Sequence, residues 1–176
     1  MPPGFRGRSA WFVQLWWIVQ ALLFQPSPQI FYRWRVFLLR CFGATIGKGV
    51  MVRPSASVTY PWKLSIGDHS WVGDEVVLYT LGNITLGSHT VISQRSYLCA
   101  GSHDIGDIRF TITNESIEIG DQCWIASDVF VGPGVKVGSG TVVGARSTVT
   151  RDLPTGVIAH GSPARPARPR SPSQRG

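Results

Sequence analysis

The chain has 176 residues, of which 43% are hydrophobic and 15% charged, with 20 glycines. That is long enough for one domain with a real core, and it argues against a disordered bulk and against a helical bundle. The formal net charge of +7 admits anionic partners, but the arginines cluster at the two ends and the middle is nearly neutral, which argues against a nucleic-acid groove. Cys41, Cys99 and Cys123 are odd in number and form no CxxC pair, which argues against a disulfide framework and a zinc knuckle and fits a reducing compartment.

In chain order, residues 1–8 read as a short basic leader and residues 9–45 as a hydrophobic N-terminal helical cap. The apolar run Ala10 to Phe24 has no small-residue cleavage site before Pro26. It is short for a transmembrane helix and is interrupted by Gln14 and Gln20. A helix over 9–24 is apolar on nearly all sides, so it must be buried or lie in lipid. Residues 30–41, IFYRWRVFLLRC, read as a second helix with Arg33, Arg35 and Arg40 among aromatics. Two compatible expectations follow. The segment covers the open end of the repeat that comes next, as a solenoid requires, or it docks through residues 9–41 on a membrane surface.

Residues 46–160 carry the strongest signal, a hexad with an aliphatic residue at each start. The starts are Ile46, Val52, Val58; Ile66, Val72, Leu78; Leu86, Ile92, Leu98; Ile119, Ile125, Val131; Val137, Val143, Val149. They group in threes, with two, two, fifteen and no extra residues between successive groups. This predicts a parallel β-helix of about five coils, triangular in section, with every insertion leaving from one corner. Gly47, Gly67, Gly87, Gly120 and Gly138 follow the first start of each coil, where a positive φ or a close backbone approach would require glycine. Ser70, Thr90, Ser96, Ser102, Thr141 and Ser147 lie four places after a start and are expected to fill cramped interior corners. The beat breaks at His103 and returns only at Ile119, leaving an insertion loop over 103–117. Residues 161–176, GSPARPARPRSPSQRG, read as a disordered basic tail.

This pattern resembles the hexapeptide-repeat acyltransferases, whose fold is a left-handed parallel β-helix. The segments GFRGRSAWFVQLWWIVQALLF, PWKLSIGDHSWVGDEVVLYTLG and VISQRSYLCAGSHD are most similar to the putative colanic acid biosynthesis acetyltransferases, in the branch of the maltose and galactoside O-acetyltransferases. The resemblance implies acetyl-CoA as co-substrate, no metal, a sugar or glycolipid acceptor such as an exopolysaccharide or its lipid-linked precursor, a homotrimer with active sites between subunits, and a cytoplasmic location with peripheral contact at the inner face of the plasma membrane. N-acetylation of an amino sugar on the same scaffold, or a non-catalytic binding β-helix, are the alternatives.

His103, at the foot of the insertion, is either a general base or a loop anchor bonded to backbone. The resemblance implies the base, with the acceptor oxygen attacking the thioester directly. The stretch CWIASDVFVGPGVKVG resembles the family's W-I-G-x-x-x-x-x-x-P-G-V-x-I-G, which implies that the Ser127 N–H bonds the oxyanion and Trp124 lines the CoA tunnel or packs at a trimer seam. Ala126 stands where the family usually has Gly. VVGARSTVTRD and GSPARPAR imply backbone bonds from Gly144 and Ala145 to pantetheine, and phosphate or adenine contacts from Arg151, Arg165 and Arg168. Glu75 and Asp74 fall near the family's acceptor-positioning Asn and are expected to orient His103 or bind sugar hydroxyls. His69 and His89 occupy equivalent places on successive coils; without a third ligand beside His103 or His160 they read as surface residues, not a zinc site.

Overall fold

The computed structural model describes residues 4–171. Its body is a three-sided parallel β-helix. The first side carries Thr45–Ile46, Leu64–Ile66, Ile84–Leu86, Ile117–Ile119 and Lys136–Val137, and the second Met51–Val52, Trp71–Val72, Val91–Ile92, Trp124–Ile125, Val142–Val143 and Val157–Gly161. The third carries Ser57–Val58, Val77–Tyr79, Tyr97–Cys99, Phe130–Val131 and Thr148–Val149. Each hexad start faces inward above its equivalent on the coil before, as Ile46 pairs Ile66 and Ile125 pairs Ile92 and Val143. None of the fifteen starts is more than 7% exposed, so burial of this aliphatic column drives coiling. Five coils are complete. Leu153, bridged to Val137, and Val157–Gly161 add two sides of a sixth.

The corners separate the two reasons for glycine. Among Gly47, Gly67, Gly87, Gly120 and Gly138 none has a positive φ; a Cβ on Gly87 would sit 2.5 Å from the Asp121 amide N of the next coil. Close approach is therefore the cause. The left-handed backbone lies two residues later, at Gly49, His69, His89, Gln122 and Gly140, at Gly156 in the sixth coil, and at the next corner at Glu75, Arg95, Asp128 and Arg146. Gly87→Ala is expected to cost about 1–3 kcal/mol, because backbone cannot yield as a side chain can. Gly132→Ala, whose Cβ would meet nothing nearer than 3.5 Å, is expected to be neutral; paired urea midpoints at constant slope check both.

The interior hydroxyls lock coil to coil. Ser70 donates to the Gly87 carbonyl, Thr90 to Gly120 and Ser96 to Ala126, each at 2.7 Å. Ser102 departs from the expectation. It is exposed in a hairpin that leaves the coil, because the insertion begins before it.

Ser9 caps helix α1 (Ala10–Val19), which runs into a π-helical turn at Gln20–Phe24; helix α2 (Tyr32–Cys41) follows. Val13, Trp16, Phe24, Leu38 and Leu39 are buried. The helices also bond the free edge of the first coil on all three sides. Arg40 donates to the Ile46 carbonyl, Arg35 Nε to the Val52 carbonyl at 2.6 Å, and Trp16 Nε1 to the Val58 carbonyl at 2.8 Å, while Gln20 Oε1 accepts from the Val58 N–H at 2.8 Å. At the other end the tail expected to be disordered from residue 161 is instead ordered through Pro169. Ala164–Pro169 turns back antiparallel on Val157–Gly161. As an outer strand it tolerates Pro166 and Pro169, which lack an N–H. Arg170 continues the run, its side chain donating to the Gln122 and Gly140 carbonyls at 2.7 and 2.9 Å. Residues 172–176 of the expected tail lie outside the described residues.

Candidate active site

The insertion is a hairpin, Gly101–His103 against Ile112–Asn114, with His103 opposite Ile112 at its far end. Its tip is tied by Asp107. That carboxylate accepts from the Arg109 N–H at 3.0 Å and from the Thr111 hydroxyl, while the Phe110 N–H donates to the Asp107 carbonyl at 2.8 Å. Phe110 adopts φ 47°, and its carbonyl meets His103 Nδ1 at 2.6 Å. A carbonyl can only accept, so Nδ1 carries the proton and Nε2 of the neutral ring presents a lone pair. The side chain is exposed. The bond that would make His103 a loop anchor therefore also fixes the tautomer a base requires. Asp107 and Phe110 escaped the sequence reading; a D-x-R-x-T stretch in a loop is a weak turn signal.

The edge between the second and third sides gathers most of the other residues singled out. Asp74, Gln94, Ser127 and Ala145 stack there, the Arg95, Asp128 and Arg146 N–H groups donating to the Asp74, Gln94 and Ser127 carbonyls at 2.9, 3.1 and 2.9 Å. Among the described residues the Ser127 N–H has no acceptor, a state it shares with Gln94 and Ala145. Ala126 is buried, its N–H on the Val143 carbonyl at 3.0 Å, and Gly144 holds the equivalent place on the next coil. The Gly144 N–H is used within the coil, on the Ala159 carbonyl at 2.8 Å, so of the two small residues only Ala145 keeps a free backbone donor. Trp124 lies outward on the second side, 49% exposed, its Nε1 donating to Ser93 Oγ at 2.9 Å.

Asp74 and Glu75 do not meet His103. Asp74 is paired with Arg53 at 2.8 Å and accepts from Ser55 Oγ at 2.9 Å. Glu75 stands at the positive-φ corner, exposed. Beside it Arg95 and Asp128 form a bidentate pair at 2.7 and 2.9 Å, and the guanidinium hydrogen bonds hold the Asp128 carboxyl below its usual range. Arg151 is exposed on the edge between the third and first sides, whereas Arg165 and Arg168 lie on the outer strand of the second, opposite His160 and Ile158. His69 and His89 stack at the surface, ring centroids 5.2 Å apart; among the described residues no three His, Cys, Asp or Glu side chains gather to hold a metal. An open cleft of about 750 Å³ runs along the first side past Thr85, Glu118, Lys136 and Asp152. None of the candidate catalytic, CoA-contacting or acceptor-contacting residues lines it.

A family model described as "Bacterial transferase hexapeptide (six repeats)" matches residues 116–151. The chain is 62% identical over 164 residues to the "Putative colanic acid biosynthesis acetyltransferase WcaF" of Escherichia coli (strain K12), covering 93% of this chain and 90% of that protein. This chain belongs to the hexapeptide-repeat acetyltransferases. Among solved structures of this fold, a maltose O-acetyltransferase from Clostridium difficile 630 superposes with a TM-score of 0.84 at 22% identity, over 93% of this chain and 90% of that one. The hexapeptide-repeat-containing acetyltransferase VCA0836 from Vibrio cholerae, solved with acetyl coenzyme A, gives 0.82 at 25% identity, over 94% and 92%. The left-handed parallel β-helix implied by the resemblance is the fold of this hexapeptide-repeat acetyltransferase, with a sixth coil begun beyond the five expected.

Proposed function

We propose that this acetyltransferase moves the acetyl group of acetyl-CoA to a sugar hydroxyl of an exopolysaccharide or its lipid-linked precursor, with His103 as the base. The observation that carries the assignment is the 2.6 Å bond from His103 Nδ1 to the Phe110 carbonyl, which leaves Nε2 as the proton acceptor. Nε2 takes the hydroxyl proton as the oxygen attacks the thioester carbonyl. The Ser127 N–H supports the oxyanion, an effect of about 2.7–4 kcal/mol for one such donor. Collapse expels CoA thiolate, which receives the proton from the imidazolium. Ala145 offers a further free N–H to the pantetheine arm, and Arg151, Arg165 and Arg168 are exposed cations for its phosphates.

Among the described residues no hydrogen bond joins His103 to the Ser127 edge, and a homotrimer with sites between subunits supplies the missing half. Exposed apolar groups support it: Ile105, Ile108 and Phe110 at the hairpin tip are 91%, 93% and 60% exposed, and Trp124 and Phe130 stand outward from the second and third sides. Among the described residues no helix is long and apolar enough to cross a membrane. A lipid-linked acceptor fits peripheral placement at the inner membrane face.

The test is thiol release from acetyl-CoA with free, nucleotide-linked and lipid-linked sugars. Acceptor-dependent turnover is the expected result; neither turnover nor CoA binding would overturn the reading. Asp107→Ala should leave acetyl-CoA affinity unchanged while lowering kcat by up to about a hundredfold, through loss of aim of the Phe110 carbonyl. The Thr111 and Arg109 bonds hold the Asp107 carboxyl below its usual range. The knot is therefore intact above the ordinary carboxylate pKa and is lost as pH falls through the depressed value.

A further inference from the structure

A cap that only covers the end of a solenoid has an outer face of polar residues. Here the outer face is apolar. Trp11, Leu15, Ile18 and Leu22 are 86%, 50%, 55% and 67% exposed along α1 and the turn after it, and Ile30 and Phe37 are 78% and 53% exposed around α2. Leu22, Leu23, Pro26, Pro28, Phe31 and Trp34 line an apolar trough of about 440 Å³. Trp34 stacks on Phe37 at 5.8 Å, and Phe37 borders a second cleft of about 460 Å³ whose polar walls are Arg33, Arg40 and Lys48. Among the described residues none of these three cations forms an ion pair.

The charge along the chain singles out the same end. Residues 1–67 contain eight of the seventeen Lys and Arg residues and none of the ten Asp and Glu residues. The carboxylates begin at Asp68; of these, Asp68 accepts from the Lys48 N–H at 2.7 Å and Asp74 pairs with Arg53.

We infer that the α1–α2 face docks flat on an anionic bilayer, with Trp11, Leu22 and the Trp34–Phe37 pair in the interface and a lipid phosphate in the Arg33–Arg40–Lys48 cleft. This deepens the peripheral placement given above and is independent of the transfer chemistry. Apolar insertion supplies affinity, and the three cations without ion pairs select negative charge. Net apolarity alone would equally suit a second copy of the chain, but two such faces would bring like charges together.

The experiment is co-sedimentation of the full chain with phosphatidylcholine vesicles, with and without about one-third phosphatidylglycerol, at low and high salt. Binding is expected to the anionic vesicles only, weakening with salt. Arg33→Ser with Lys48→Ser should weaken it about 30-fold, from roughly fivefold per cation. Trp11→Ser with Leu22→Ser should weaken it at least about tenfold. Both pairs are exposed, so unchanged circular dichroism melts separate binding from folding. No binding to anionic vesicles, or binding unmoved by both pairs, overturns the proposal. A Trp11/Leu22 variant that changes oligomeric mass without any vesicle binding assigns the face to a second copy and also overturns it. Acetyl transfer to a water-soluble acceptor should be unchanged in both variants, so failure here is distinguishable from failure of the transferase reading.

Discussion

His103→Ala is expected to lower acceptor-dependent acetyl transfer by about 10²–10⁴-fold, the range a positioned general base contributes. Acetyl-CoA affinity, measured by calorimetry, should not change. The alanine variant alone does not separate a base from an anchor, because it removes both the Nε2 lone pair and the Nδ1 bond to the Phe110 carbonyl. His103→Asn does separate them. Its amide can still donate to that carbonyl and hold the hairpin, but it cannot accept a proton at neutral pH. An Asn variant as inactive as the Ala variant establishes the base. An Asn variant within about threefold of wild type, against the expected 10²-fold or greater loss, would make His103 an anchor and sink the mechanism.

Arg35→Ala is expected to destabilise the fold by about 3 kcal/mol, through buried acceptors left without a donor, lowering Tm by about 6–12 °C for a chain of this size. Arg35 is fully buried and has no carboxylate partner among the described residues. Its guanidinium instead donates to the Val52 carbonyl at 2.6 Å, Ser27 Oγ at 2.9 Å, the Pro28 carbonyl at 2.9 Å and the Gln29 carbonyl at 2.6 Å. Burial draws its pKa below the ordinary arginine value, yet the ring of oxygens keeps it a cation. It joins the loop between the helices to the second side of the first coil. Arg35→Lys keeps the charge but not the fork, so its loss should be intermediate. Calorimetric melts check both; an alanine variant within 0.5 kcal/mol of wild type, the ordinary range for a surface change, would show that the pin is dispensable.

The coils were legible because their cause is local and repeated. Fifteen aliphatic starts with glycine after each first one leave few alternatives, and every start is buried. The sixth coil was not. The step from Val149 shortens to Leu153, and the next inward residue is Ala159, too small to mark a hexad start. The return strand Ala164–Pro169 was hidden by its Pro and Arg content, which reads as disorder until a partner such as Val157–Gly161 is available. At the candidate site, His103 was marked by the break in the beat. The partners of Asp74 were not marked: Arg53 lies one coil away, and only the coil register brings it to 2.8 Å. The roles of Arg35 and Arg170 were invisible for a related reason, since both act on backbone carbonyls that no side-chain pattern reports.

The two closures of the β-helix differ, and the difference bears on growth. Stacked parallel strands are a template, and an uncovered last coil would accept another chain's strands without limit. Here tryptophan, glutamine and arginine side chains occupy the first coil's free hydrogen-bonding groups, while at the far end the chain folds its own tail back on the second side as a reversed strand that a parallel coil cannot extend. Between them the fourth and fifth coils meet with no extra residues. Lengthening the molecule by one whole eighteen-residue coil at that seam would leave both stoppers in place, whereas removal of the tail from Gly161 onward would leave the second side's last parallel strand uncovered, a template for another chain's strand.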